Sequence, residues 1–213
     1  MSGLTLTELQ LDALTELVNL GVSSAAMSLS ELVREEVVLS VPEVCIVTRD
    51  EAIANLRERD AKQLVGIHQD FDGDIRGRAL LIFPEARSME LIRALVGADL
   101  SLDDIMELEQ EALAETGNIL LNSCLSTMAN SLQRNLKISL PEVIHGEGAD
   151  FFRYSSADER VLFIYINFAV KQRDIEGFLA MILDLPSLVM LQKLLDAYIE
   201  RSTGQSPAAG HVD

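Results

Sequence analysis

Laid over itself at an offset of 99 residues, the 213-residue sequence comes into register with itself, and this repeat limits the possible folds more than any other feature. Asp12, Glu16 and Asn19 fall on Glu111, Glu115 and Asn118. Ser40-Val41-Pro42-Glu43-Val44 falls on Ser139-Leu140-Pro141-Glu142-Val143. One extra residue moves the offset to 100, where Asp74-Ile75-Arg76-Gly77 meets Asp174-Ile175-Glu176-Gly177. At that offset Ile82, Leu91 and Leu95 meet Ile182, Leu191 and Leu195. Three separated blocks in register argue for duplication of one structural unit, with repeats at about 5–98 and 101–200. The junction Ala98-Asp99-Leu100-Ser101 is too short to act as a linker. The halves are therefore expected to share one sheet and one core as a single domain.

Within each unit the periodicity predicts a long helix, a few strands and a shorter helix. The long helices span Thr5 to about Glu35 and Ser101 to about Gln133. Thr5 with Glu8 reads as a capping box, and Ser101 with Asp104 as a weaker one. Strands are expected over 37–42, 64–69, 78–83, 136–141, 161–169 and 178–183. Pro84 and Pro186 are placed to open the shorter helices. The stretch from Asp50 to Asp60 fits either a short helix or a loop, and 201–213 has the composition of a disordered tail. The fold class that follows is α+β, a pseudo-twofold tandem repeat with two long helices packed on an antiparallel sheet and shorter helices flanking it.

On a helix, positions i, i+4 and i+7 fall within an arc of roughly 60°. Asp12, Glu16 and Asn19 thus form one polar row on the first long helix, with Leu11, Leu14, Leu17, Val18, Ala25, Leu29 and Leu32 assigned to the core side. Glu111, Glu115 and Asn118 repeat the row on the second, opposite Leu113, Leu120, Leu121, Cys124 and Met128. For one helix, solvated acids near the N-terminus are the ordinary explanation. Asparagine does not fit it, because Asn is a poor helix former and does nothing for the dipole. Its recurrence behind the same glutamate fits it even less, and a proline follows each asparagine after 22 intervening residues, at Pro42 and Pro141.

Composition narrows the partners. Asp and Glu outnumber Lys and Arg 34 to 17, a net charge of -17 that repels nucleic acid and anionic lipid. Cys45 and Cys124 lack metal-ligand spacing and lie in apolar runs, as reduced core residues of a cytosolic chain would. Neither a signal peptide nor an apolar run of about 18 residues is evident, so a cytoplasmic location is expected. Asp70-Phe71-Asp72-Gly73-Asp74 fails as a calcium loop because Ile75 and Leu81 stand where glycine and glutamate are needed, so it reads as a turn. His68, His145 and His211 show no ligand spacing, and no serine-hydrolase or phosphate-loop motif is present.

The spacing Asp/Ser, three residues, Glu, two residues, Asn, 22 residues, Pro resembles the active-site signature of the CheC, CheX and FliY phosphatases. The first copy matches at Asp12, Glu16, Asn19 and Pro42. The second matches at Glu115, Asn118 and Pro141, with Glu111 where the family has Asp or Ser. Glu115-Thr116-Gly117-Asn118 also resembles the family text, whereas Val22-Ser23-Ser24 replaces a more glycine-rich stretch. The resemblance covers nearly the whole chain short of the tail. Two sites resemble CheC more than the smaller CheX, and FliY's extra C-terminal domain is not expected.

The resemblance implies hydrolysis of the aspartyl phosphate on a CheY-like receiver domain in chemotaxis or related two-component signalling. It makes Asn19 and Asn118 the residues that orient the attacking water, and Glu16 and Glu115 the partners of the receiver's lysine. Asp12 and Glu111 become supporting contacts, and Pro42 and Pro141 shape the chain after a strand. The implied Mg²⁺ belongs to the receiver, with no cofactor on this chain. A CheD-type deamidase is a second partner implied for the family, to which no residue is assigned. A non-catalytic module that captures the receiver or CheD is the alternative.

Overall fold

The computed structural model describes residues 6–34, 36–58, 63–96, 102–153, 159–170 and 173–204. The first half contains α1 (Glu8–Val33), β1 (Val37–Thr48), α2 (Arg49–Glu58), β2 (Leu64–Gly73), β3 (Gly77–Pro84) and α3 (Glu85–Val96). The second contains α4 (Leu102–Ser131), β4 (Leu136–Ile138), β5 (Glu142–Gly146), α5 (Gly148–Phe151), β6 (Arg160–Val170), β7 (Arg173–Leu183) and α6 (Leu185–Thr203). The element order is the same in both, except that β4 and β5 together stand where β1 stands in the first.

The strands form one antiparallel sheet in the order β1-β6-β7-β3-β2-β4, with β5 also on β2. Each half lends its first strand to the other: β1 pairs with β6, and β4 and β5 pair with β2. β3 and β7 join at the centre. This exchange interlocks the halves in one sheet, and the fold is α+β as the sequence implied.

Alternation along the central strands explains why both sheet faces are covered. Val65, Ile67, Phe71, Ala79, Leu81 and Phe83 form a core with α1, α4 and α6. Leu64, Leu80, Ile82, Phe178 and Ala180 face the other way, into a second core closed by Ala52 and Leu56 of α2 and Phe151 of α5. The long helices also touch closely. A Cβ added to Gly21 would lie 2.9 Å from Cys124 Sγ and 3.0 Å from Cys124 O, so only glycine admits this crossing without a shift.

Several local expectations are corrected. The capping box at the start of α1 is made by Thr7, whose hydroxyl accepts from Gln10 N at 3.2 Å while Gln10 Oε1 accepts from Thr7 N at 3.0 Å. Thr5 and Ser101 lie outside the described residues. Leu11 and Leu32 are 36% and 45% exposed, because the stripe facing the sheet and α4 is narrower than the leucine pattern suggested. The window from Asp50 resolves into helix as far as Glu58. α4 ends at Ser131, with Gln133 in the left-handed region at φ 57°. α6 runs to Thr203 and is closed by Gly204 at φ 65°, so helix replaces the expected tail at 201–203, and 205–213 lie outside the described residues. Cys124 is buried, which pushes its thiol up to about 12, but Cys45 is only half-buried.

The strand expected over 136–141 stops at Ile138, and β5 and α5 were not foreseen. Across the break Ser139 stays attached to β2: its N donates to Asp70 O at 2.9 Å and its hydroxyl accepts from Asp70 N at 2.9 Å. At the matching place β1 absorbs the irregularity as a bulge between Ser40 and Glu43 and continues to Thr48, beyond the expected end at Pro42. Proline explains both interruptions, since it has no N–H to give the ladder.

Candidate functional site

The rows arise because α1 and α4 bury one face only. On α1, Leu14, Leu17 and Val18 are fully buried, which turns Asp12, Glu16 and Asn19 outward to solvent. From Asp12 to Asn19 the row rises about 10 Å along the helix. Among the described residues, none of the three side chains makes a hydrogen bond or ion pair. On α4, Glu111 and Glu115 are likewise exposed and unbonded among the described residues, whereas Asn118 is half-buried.

Asn118 sits lower because α4 lies directly on the sheet beside it. A Cβ on Gly117 would overlap Ile67 Cγ2, so the absence of a side chain sets how closely the helix approaches β2. Thr116 is fully buried and donates its hydroxyl to Ala112 O at 2.7 Å. Gly117→Val is expected to lower the unfolding free energy by about 1–3 kcal/mol, as overpacking of a tight core does. At about 2–4 °C per kcal/mol for a chain of this size, thermal melts resolve that loss. An unchanged melting temperature would show that the contact is not tight.

Around Asn118 lies an amide cluster that sequence reasoning missed. Asn118 Oδ1 accepts from Asn122 Nδ2 at 2.6 Å and from Gln69 Nε2 at 3.4 Å. Gln69 Nε2 also donates to Ser139 O at 2.8 Å and lies 3.4 Å from Asn122 Oδ1. Gln69 is 0% exposed, and its Oε1 has no partner among the described residues. The available signal was the strand alternation Val65, Ile67, Gln69, Phe71, which puts a polar side chain in an apolar row. Pro141 is half-buried in the break before β5, and Pro42 lies in the bulge of β1.

No concave pocket is needed to present these rows. A cleft of 370 Å³ is lined by Asp70, Arg76, Arg78, Phe151, Glu159 and Asp184, among others, and includes none of the six row residues. Its arginines are already engaged: Arg78 donates to both Asp70 carboxylate oxygens at 2.7 and 3.1 Å, and Arg76 donates to Asp184 at 2.9 Å. The Arg78 bond holds the Asp70 carboxyl below the usual carboxylate range. Rows of carboxylates and an amide that lie outside this cleft suit a substrate that brings its own pocket, a macromolecule rather than a small molecule. Among the described residues, no group of three His, Cys, Asp or Glu is placed to hold a metal, and no helix is long and apolar enough to cross a membrane.

Two family descriptions match: Chemotaxis phosphatase CheX over residues 65–166, and the CheC-like family over residues 9–46. The chain is 30% identical over 139 residues to the CheY-P phosphatase CheC of Bacillus subtilis (strain 168), covering 64% of this chain and 66% of that protein. It therefore spans about two thirds of that relative's length. Among solved structures it is similar to Thermotoga maritima FliY, with TM-score 0.73 and 15% identity over 92% of this chain and 100% of that one. It is also similar to the CheX–CheY–BeF3–Mg²⁺ complex from Borrelia burgdorferi, with TM-score 0.50 and 14% identity over 83% and 97% of the two chains. At these identities the structures establish a shared fold.

Proposed function

This chain belongs to the CheC/CheX/FliY family of CheY-P phosphatases, and from that premise we propose that it hydrolyses the aspartyl phosphate of a CheY-like receiver domain. The observation that carries this is the pair of Glu-x-x-Asn rows, one on each long helix, with Glu16, Asn19 and Glu115 exposed and Asn118 half-buried. The Borrelia burgdorferi complex, in which a protein of this fold is held with CheY, supports a receiver as substrate. Such a substrate also places the protein in the cytoplasm.

Little chemistry is asked of this chain. The receiver supplies the phosphoryl group and the Mg²⁺ that neutralises its oxygens. Asn19 or Asn118 enters the receiver's site and orients a water in line with phosphorus. The water oxygen bonds to phosphorus as the bond to the aspartyl oxygen breaks, releasing inorganic phosphate and free carboxylate. A neutral amide suits this place because it adds no negative charge beside the phosphoryl group. Glu16 or Glu115 pairs with the receiver's lysine and sets the docking register, with Asp12 and Glu111 at the edge of the contact. The test follows phospho-receiver decay with and without the chain, across the receivers of its organism. Faster decay supports the proposal; tight binding with unchanged decay would replace it with the non-catalytic module.

Docking and chemistry separate by substitution. Glu16→Gln with Glu115→Gln is expected to raise KM for phospho-receiver and flatten its dependence on salt, because an exposed ion pair is lost. Each exposed pair is worth about 0.2–1 kcal/mol, so the rise is a few-fold. Steady-state kinetics at two ionic strengths check this, and an unchanged KM with unchanged salt dependence would remove both carboxylates from docking.

A further inference from the structure

The two rows match in sequence but differ beneath the asparagine. Ser40 stands opposite Asn167 in the sheet, and its counterpart Ser139 is bonded to Asp70. Through this edge pairing Gln69 matches Ile166, and through the hairpin, where Gln69 pairs with Ala79 and Ile164 with Leu179, it matches Ile164. Gln69 and both isoleucines are buried on the sheet side that faces the long helices. In one half the place is filled by isoleucine and in the other by glutamine. Similarly, Asn122 stands 99 residues after Ser23, which is exposed and has no amide. Among the described residues Asn19 thus projects from its helix without a side-chain hydrogen bond, and Asn118 rests on two amides.

A buried glutamine whose Oε1 meets no partner among the described residues is costlier than the isoleucine that fills the same place in the other half. Such a departure from an apolar row is expected where function requires it. We infer that Gln69 and Asn122 are positioning residues that clamp the Asn118 carboxamide and make the α4 row the faster of the two sites. The inference rests on the phosphatase reading above. Asn118 Oδ1, held from below by two donors, fixes the plane of the amide, and its Nδ2 meets no acceptor among the described residues. The amide therefore faces an incoming receiver in one orientation. Asn19 must be ordered during the encounter, and a looser reacting geometry lowers turnover.

The test uses Asn19→Ala and Asn118→Ala chains, each left with one row. The Asn19→Ala chain retains the higher kcat. Adding Gln69→Leu or Asn122→Ala to it lowers kcat about tenfold with KM unchanged, because the loss falls on alignment and not on docking. In the Asn118→Ala chain the same additions change kcat less than about twofold, a smaller loss than misplacement of a reacting group brings. Equal losses in both chains would make the two residues general supports of the fold, and no loss in either would remove them from the reaction. Each of these results overturns the inference. Side-chain amide relaxation supplies a readout that needs no substrate: Asn118 should be rigid and Asn19 mobile, and Asn122→Ala should release Asn118. Equal mobility of the two asparagines would overturn the clamp even in an active phosphatase. An ordered Asn118 in a chain that hydrolyses no receiver phosphate would instead place the failure in the functional reading.

Discussion

With both asparagines replaced, Asn19→Ala and Asn118→Ala together, phospho-receiver decay should return to the receiver's spontaneous rate. Either single variant should retain the activity of the remaining row, because the two rows lie on separate helices, α1 and α4. Loss of one positioned polar group at a reacting centre commonly costs about 10²–10³ in rate, so each variant should nearly silence its own site. Neither change threatens the fold. Asn19 is exposed, and Asn118→Ala removes one acceptor from a half-buried cluster, which costs on the order of 1 kcal/mol. The measurement is single-turnover decay of pre-phosphorylated receiver, with circular dichroism to confirm folding. Full activity in the folded double variant would eliminate the proposed mechanism.

The second large effect concerns the metal. Chelator added after the receiver has been phosphorylated should abolish the accelerated decay and leave the isolated chain's melting temperature almost unchanged. Each row offers two carboxylates and one amide spread over about 10 Å of helix. A hard cation needs about six oxygens at roughly 2.0–2.6 Å, which such a row cannot supply. We therefore propose that the Mg²⁺ that neutralises the developing charge is held in the receiver's acidic pocket. Calorimetry on the isolated chain tests the assignment directly. Stoichiometric Mg²⁺ or Mn²⁺ binding at micromolar affinity that vanished with Glu16→Gln and Glu115→Gln would overturn it.

What the sequence conveyed depended on how far apart the interacting residues were. Helical periodicity is local, so Asp12, Glu16 and Asn19 were legible as one outward row, and their repetition at Glu111, Glu115 and Asn118 made the row a candidate site. Strand alternation is also local, and most of β2, β3, β6 and β7 was legible from it. β5 was not, because it is five residues long and follows a proline. Its existence depends on β2 offering a free edge from Leu64 to His68.

The sequence by itself therefore determined the α+β class and the long helices, which follow from periods of two and 3.6 residues, and the residue types and spacing of both rows, which the internal repeat displays. Tertiary structure decided the exchange of first strands between the halves, since strand pairing is a matter of long-range register. It also decided that the rows are unequal. Gln69 and Asn118 are 49 residues apart in the chain, and no local period relates them. They meet only because Gly117, lacking a side chain, lets α4 settle onto Ile67 and bring the asparagine within reach of a buried amide on β2.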